Sequence, residues 1–396
     1  MFMYQKLNHY DITLETLNSI REKLSNFKSE LPKITAFLGF DGYIDSLYSL
    51  VKNRIDSKEW IRMESMKTFG ELLINVSGSS GNIERVLKKK ILGGFAPNTS
   101  RAMNALGANT YLVGALGYPQ LSPLYKKQPN EEVYSIAEPG ETLGLEFDDG
   151  KIMITDFAPI LNIDWNRIIS NLSRSKLSSL IDKSKILGFG HWALIPHINQ
   201  IWRHFISDLF PSLNNLEKKL FFVDIADMRK RKSADIKDLI QILQEIDKYM
   251  PVMLSINDQE ATLLSKIIDN VKEIKSIKPN FDDFIEAGSI LNEQIKISYF
   301  VIHSPHFATI TTKKHHYWVT EGYTSKPRYT VGGGDHFHSG VALALSCNLT
   351  PPESILIGNA LTAIFVRTGN SPSFNQLSQF INRYLEYIEN DLPNIH

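Results

Sequence analysis

Helix-length amphipathic segments alternate with short apolar runs through the middle of this chain. The apolar runs SKILGFGHW, KLFFVDIAD and PVMLSI separate predicted helices over 164–172, 197–210, 233–248 and 257–268. Such runs are typical of buried strands, and the helices between them supply the crossovers that parallel strands require. The alternation therefore predicts an α/β fold built on a mostly parallel sheet.

Size and charge limit the kinds of partner to expect. The chain has 396 residues, of which 43% are hydrophobic, and 43 basic residues balance 43 acidic ones. This balance favours a small-molecule substrate over nucleic acid or a membrane. The single cysteine, Cys347, excludes a disulfide or a cysteine-based zinc site within one chain. No leader pattern or membrane-length apolar segment is evident, which predicts a cytoplasmic protein.

The stretch TVGGGDHFHSG, residues 330–340, carries the strongest chemical signal. Three glycines free the backbone, and an apolar set with helical spacing follows them, so a helix is expected to begin where the glycines end. Bare amides at a helix start bind anions such as phosphate. Asp335 in the first turn could accept the proton of a hydroxyl that attacks the phosphate. The alternative is a glycine-rich turn whose aspartate merely caps the helix.

This stretch resembles the T-x-G-A-G-D-x-F-x-x-G signature of the ribokinase (PfkB) carbohydrate kinase family, with Gly333 at the usual alanine. The resemblance implies that Asp335 is the catalytic base. It also implies that the amides of Gly332, Gly333 and Gly334 form the anion hole. The fold it implies is a ribokinase-like three-layer α/β/α sandwich with a mostly parallel central sheet and a small β lid.

A second segment, GGFAPN, resembles the family pattern G-G-x-x-x-N with Gly93, Gly94 and Asn98 in place. In the family these groups hold sugar hydroxyls, although Gly-Gly turns before helices are common for structural reasons alone. Two carboxylates, Asp41 and Asp45, follow the predicted strand ITAFLGF, and ligands gather at such strand ends. We expect Asp45, and less surely Asp41, to orient the acceptor.

The donor side of the expected site rests on weaker patterns. Asn257 and Glu260 match the family's N-x-x-E motif, which implies a nucleotide contact and an Mg²⁺ held through water, but the same spacing suits a helix capping box. Thr330 and Asn359 are further expected nucleotide contacts, the latter in an apolar segment that a plain core helix explains equally well. The turn 303–307 departs from the glycine-bearing turn of the family.

The expected domain organisation is an N-terminal helical extension over 1–32 and a kinase domain over 33–396. The lid is expected within 41–92 and 131–160, and Asp149-Gly150 between two alternating segments predicts a hairpin there. A closed lid would exclude water, which competes for the phosphoryl group.

Other polar clusters are explained more simply. His336 and His338 lack a third partner for zinc, and the run Lys88 to Lys90 is more typical of a solvated face than of a site for a phosphorylated substrate.

The sequence as a whole predicts a kinase that transfers the γ-phosphoryl group of ATP, with Mg²⁺, to a hydroxyl of a sugar or related polyol. A nucleoside kinase of the same fold and a non-catalytic sugar or nucleotide sensor are the alternatives. The expected partners are a small-molecule acceptor and a nucleotide, without nucleic acid or membrane, and a homodimer is a further expectation.

Overall fold

The computed structural model describes residues 2–268, 271 and 281–395. None of the helices in these ranges combines the length and the apolar character needed to cross a membrane. In chain order the strands are β1 (Thr35–Phe40), β2 (Tyr43–Arg54), β3 (Trp60–Arg62), β4 (Arg85–Gly93), β5 (Asn109–Ala115), β6 (Glu131–Ala137), β7 (Gly140–Phe147), β8 (Gly150–Asp156), β9 (Ile186–Phe189), β10 (Leu220–Asp224), β11 (Val252–Asn257), β12 (Tyr299–His303), β13 (Phe307–Thr312) and β14 (His316–Thr320).

The helices surround these strands. Helix α7 continues into a π-helical turn over Phe205–Leu209. The helices are α1 (Phe2–Glu30), α2 (Met66–Asn75), α3 (Phe95–Ala105), α4 (Ala158–Leu161), α5 (Trp165–Leu172), α6 (Arg174–Lys183), α7 (Ile198–His204), α8 (Ser233–Ile246), α9 (Asp258–Ile267), α10 (Phe281–Ile295), α11 (Gly333–Ser346), α12 (Pro351–Thr368), α13 (Phe374–Asn382) and α14 (Tyr384–Glu389).

The large sheet has nine strands in the order β14-β13-β12-β11-β10-β9-β1-β5-β6. The strands from β12 to β6 run parallel, and β13 and β14 add an antiparallel edge. Successive side chains of a strand point to opposite faces. Accordingly Phe221 belongs to the core on one face and Phe222 to the core on the other, and both are fully buried. Helices cover both faces, which confirms the predicted three-layer α/β/α sandwich.

The N-terminal helix is part of this core. It runs from Phe2 to Glu30, within the helical extension expected over 1–32. Leu17 and Ile20 are fully buried in the same core as α11 and α12. Within the expected extension, the part from Leu17 to Leu31 therefore contributes apolar side chains to the core on one face of the large sheet.

A second sheet of five strands lies next to the first, with β2 at its centre beside β3, β4 and β7, and β8 at its edge. The predicted hairpin is confirmed, because β7 and β8 pair antiparallel and Phe147 lies opposite Gly150. Within the range 131–160 where the lid is expected, residues 131–137 form β6 of the large sheet and pair with β5, and β7 and β8 belong to the second sheet. The lid role of the second sheet stays a prediction.

Candidate active site

A cavity of about 370 Å³ lies where the second sheet meets the ends of β1, β9 and β10. Its volume suits a small ligand. Parts of the chain that are far apart in sequence contribute to its lining, which is the carboxyl-end position expected for a ligand site in an α/β sheet. The lining includes six residues predicted from the sequence, Asp45, Gly94, Asn98, Gly332, Gly334 and Asp335.

The glycine triplet forms the start of α11 itself. Gly332 is the N-cap with φ of 95°, in the left-handed region that favours glycine, and the helix begins at Gly333. The expectation that the glycines end before the helix begins was wrong, because Gly333 and Gly334 occupy its first turn. The carbonyl of Gly332 accepts hydrogen bonds from the backbone and from the ring Nδ1 of His336, at 3.2 Å and 2.7 Å.

The amides of this turn differ in their availability. The N–H of Gly333 donates to the carbonyl of Thr330 at 3.3 Å, so it is partly committed. For Gly334 and Asp335, no backbone acceptor among the described residues takes up the N–H. These two amides, at the positive end of the helix dipole, are the ones free to bind an anion.

The Asp335 carboxylate is oriented from α3. Asn98 Nδ2 donates to Asp335 Oδ2 at 2.8 Å, and Arg101 in turn donates to Asn98 Oδ1 at 3.1 Å. Burial raises the pKa of Asp335 to about 6, although His191 and Asn98 favour the ionised form. Asp335 is half-buried and lines the cavity, so it is neither turned to bulk solvent nor covered by apolar side chains. A carboxylate with this pKa can accept a proton at neutral pH.

Asp41 is placed differently from the expectation. It is fully buried, and its two oxygens accept the backbone N–H groups of Phe95 and Ala96 at 2.8 Å and 2.9 Å. A Cβ on Gly94 would come within 2.7 Å of the carboxylate, so only glycine fits there. Asp41 therefore caps the start of α3, and a direct contact with the acceptor is contradicted by its burial.

Asp45 on β2 and Gly93 on the neighbouring strand β4 lie close together. Asp45 lines the cavity, and a Cβ on Gly93 would lie 2.7 Å from its Oδ2. Burial raises the pKa of Asp45, partly offset by a hydrogen bond from Thr142. Gly93 thus lets β4 approach the carboxylate and does not itself line the cavity.

Two histidines next to the cavity were not assigned a role from the sequence. His191 follows β9, and its Nδ1 lies 2.7 Å from Asp41 Oδ2. His338 is fully buried, and its Nε2 donates to Asp224 Oδ2 at 3.0 Å. Burial would raise the pKa of Asp224, but the hydrogen bond and charge of His338 outweigh it and lower that pKa. The sequence signal for these roles was position: His191 lies just after β9, and Asp224, the partner of His338, lies at the end of β10, where ligands of such sheets bind.

On the donor side, Asn257 and Glu260 form a capping box at the start of α9. Asn257 Oδ1 accepts the N–H of Glu260, and Glu260 Oε2 accepts the N–H of Asn257, both at 2.9 Å. Burial raises the pKa of Glu260, and the negative charges of Asp224 and Asp227 add to the effect. The helix capping box, which was the structural alternative for this motif, is thus present. The carboxylates of Asp224 and Asp227 also give this region an excess of negative charge, which would favour a divalent cation.

The other expected nucleotide contacts are less favourably placed. Asn359 is fully buried within α12, so its position argues against a nucleotide contact by its side chain. Thr330 is exposed beside the glycine turn. The turn 303–307 closes through Ser304, whose backbone N–H donates to the carbonyl of Phe307 at 2.9 Å.

Neither histidine of the His336-x-His338 pair is available to a metal. His336 stacks on Phe365 with ring centres 3.9 Å apart, and its Nε2 lies 2.8 Å from Ser371 Oγ. In the part of the chain that the structure describes, no group of three histidine, cysteine or acidic residues could hold a metal ion. Lys88 to Lys90 lie on the exposed strand β4, where Lys88 pairs with Glu146 at 2.7 Å, and none of them lines the cavity.

Several solved kinase structures superpose on this chain. A mutant of phosphofructokinase-2 from Escherichia coli superposes with a TM-score of 0.59 and 16% identity, over 89% of this chain and 99% of that chain. Ribokinase from Arabidopsis thaliana, complexed with ribose and ATP, superposes with a TM-score of 0.59 and 15% identity, over 88% of this chain and 98% of that chain. A carbohydrate kinase from Agrobacterium tumefaciens superposes with a TM-score of 0.59 and 15% identity, over 88% of this chain and 97% of that chain. At these identities the likeness shows a ribokinase-like fold.

The model of the prokaryotic ketohexokinase family matches residues 11–384. The chain therefore belongs to that family. It is also 28% identical over 381 residues to the ketohexokinase of Haloferax volcanii, which covers 96% of this chain and 98% of that protein. The family match over nearly the whole chain and the curated relative define the class of protein as a carbohydrate kinase, a phosphotransferase with an alcohol acceptor.

Proposed function

We propose that the protein transfers the γ-phosphoryl group of ATP to a hydroxyl of a free ketohexose. The observation that carries the proposal is the position of Asp335. Its carboxylate lines the cavity, is held by Asn98, and lies on the helix turn whose amides of Gly334 and Asp335 are open to an anion. The likeness to a ketohexokinase over nearly the whole chain supplies the sugar class.

In the proposed reaction, Asp335 accepts the proton of the attacking hydroxyl as the new oxygen–phosphorus bond forms. A modest base is sufficient, because the hydroxyl loses its proton late in a loose transition state. The free amides at the start of α11 stabilise the charge on the transferred group. Asp45 and Asn98 orient the acceptor so that the reacting oxygen faces Asp335.

The lining of the cavity favours an unphosphorylated acceptor. Among the described residues that line it, none is a lysine or an arginine. A sugar that already carries a phosphate would bring a dianion next to Asp45 and Asp335, and recognition of such a group normally uses arginine or lysine. A free sugar avoids this electrostatic cost.

A magnesium ion would be held on the donor side. The residue that fits is Glu260, a buried carboxylate whose pKa is raised by burial and by the negative charges of Asp224 and Asp227, a local charge that a divalent cation would offset. When bound with the donor phosphates, Mg²⁺ would neutralise part of their charge. Glu260 acts in this scheme by holding water ligands of the ion.

The test is an assay of ADP release with ATP and a panel of acceptors: D-fructose, D-tagatose, D-psicose, D-glucose, D-ribose, fructose 6-phosphate and adenosine. We expect turnover with a free ketohexose and a lower kcat/KM for all other acceptors. Turnover with adenosine alone would identify a nucleoside kinase, and preference for fructose 6-phosphate would contradict the free-sugar proposal. Ligand-induced thermal stabilisation without turnover would indicate a sensor.

A further inference from the structure

We infer that His191 contacts the acceptor sugar directly, as a hydrogen-bond donor aimed by Asp41, and determines which acceptor configuration is accepted. The inference rests on the proposed function and assigns a residue to the same cavity. His191 lines that cavity together with Asp335 and Asn98.

The backbone at His191 is held in an unusual conformation. Its φ and ψ are 54° and 36°, in the left-handed region, directly after the central strand β9. A residue with a Cβ is strained in this region, and such strain concentrates at functional sites. Its backbone N–H lies 3.4 Å from Asp224 Oδ1, which helps to hold the conformation. The main chain is thus bent in a way that places this imidazole on the cavity wall.

Asp41 decides which edge of the imidazole faces the cavity. The Asp41 carboxylate is fully buried and lies 2.7 Å from Nδ1 of His191. The imidazole itself keeps about a quarter of its side-chain surface exposed. Because Nδ1 is turned to the buried carboxylate, the exposed edge is the one that carries Nε2. Because a carboxylate fixes Nδ1, the direction of Nε2 is defined, and Nε2 is a donor when the ring is protonated on both nitrogens.

Neighbouring side chains restrict the ring further. The ring centre of Tyr43 lies 5.6 Å from that of His191, and Phe95 lies 6.5 Å away on another side. Burial disfavours the imidazolium, but the carboxylates of Asp41, Asp224 and Asp335 outweigh burial and raise the pKa of His191 to about 9. A charged donor is thereby present at neutral pH in a cavity whose described lining has no lysine or arginine.

This arrangement assigns new roles to two residues. Asp41, at the position where a direct sugar contact was expected, acts through His191 and is a positioning residue. His191 supplies the contact with the acceptor. A buried donor that must be satisfied by a substrate hydroxyl rejects acceptors that lack it or present it in the wrong direction.

The test compares two substitutions at this position. His191→Asn tolerates the left-handed backbone and keeps a donor close to Asp41, but it removes the Nε2 edge. His191→Gln can extend an amide toward the cavity. We expect His191→Asn to reduce kcat/KM for the ketohexose about 10- to 150-fold, the range of a hydrogen bond to a charged group, while KM for ATP is unchanged. His191→Gln should recover part of the loss. His315→Asn, on an exposed loop, is the matched control.

Deoxy analogues of the ketohexose then separate a sugar contact from a structural role. For the wild type, removal of the hydroxyl that His191 contacts should reduce kcat/KM, and in His191→Asn the same removal should cause no further loss. Equal losses in both proteins for every analogue, or an unchanged kcat/KM in His191→Asn, would overturn the inference. If the wild type uses another acceptor, the proposed ketohexose function fails while analogues of that acceptor still test His191. If no acceptor on the panel reacts or binds, both the proposed ketohexose function and the inference about His191 fail.

Discussion

The pKa of Asp335 makes a quantitative prediction about the pH dependence of the reaction. Only the ionised carboxylate can accept the proton of the acceptor hydroxyl. With a pKa of about 6, roughly 90% of the carboxylate is ionised at pH 7 and about 10% at pH 5. The kcat/KM for the sugar should therefore fall about ninefold between these two values. An aspartate at its ordinary pKa of 3.8 would remain mostly ionised throughout.

The protonation of ATP in the same range would complicate a single profile, because phosphate groups titrate near pH 6. The comparison that removes this effect is Asn98→Ala. Asn98 donates to Asp335 Oδ2 at 2.8 Å and so favours the ionised carboxylate. Its loss should raise the pKa of Asp335 and move the acid limb to higher pH, whereas the titration of ATP stays the same. Asn162→Ala, at an exposed position beyond α4, is the matched control and should leave the limb in place.

The assay is steady-state ADP release at saturating ATP and Mg²⁺ between pH 5 and 8, with thermal unfolding recorded at each pH to exclude loss of structure. A flat kcat/KM between pH 5 and 7 would refute the assignment of Asp335 as the titrating base. An acid limb at the same pH in the wild type and in Asn98→Ala would show that Asn98 does not act on the group that titrates.

Other predictions concern the glycine turn and the donor side. Gly332→Ala places a side chain at φ of 95° and should lower the free energy of unfolding by about 1–2 kcal/mol. In Gly333→Ala the new Cβ meets nothing nearer than 3.5 Å, so the free energy of unfolding should stay unchanged or rise slightly. Urea unfolding of the two variants measures this difference. Glu260→Gln should raise the Mg²⁺ concentration for half-maximal activity several-fold without changing KM for the sugar, and an unchanged Mg²⁺ dependence would exclude the metal role. Because the folded pKa of Glu260 lies above its ordinary 4.5, its ionisation opposes folding as pH rises. In metal-free buffer the stability of Glu260→Gln relative to the wild type should therefore increase from pH 5 to 8.

The parts of the fold that were predictable are those encoded in local patterns. Buried parallel strands such as β10 and β11 appear as continuous apolar runs, and the glycines and helix spacing around Asp335 indicate the turn directly. The boundary between the two sheets was harder to predict, because β6 at the edge of the large sheet and β7 of the second sheet are separated only by a short connection. Nothing in the local sequence indicates which sheet each strand joins.

The roles of the acids and of His191 depended on tertiary contacts. Asp41 and Asp45 follow the same strand, and their spacing does not indicate that the amides at the start of α3 take up the first carboxylate. His191 belongs to no spaced motif, and its partner Asp41 is 150 residues away in the sequence. Asn359 has the apolar neighbours of any core helix, so the sequence pattern alone could not distinguish a buried asparagine from one that contacts a nucleotide.

The role of Asp335 as the base can be tested with Asp335→Asn by measuring turnover and sugar binding in the same preparation. The amide has nearly the same shape but cannot accept the proton. We expect kcat to fall about 10²- to 10⁴-fold, the usual contribution of a general base, while ketohexose affinity by calorimetry changes by less than about threefold. A kcat within a few-fold of the wild type, with the sugar still bound, would show that Asp335 is not the base.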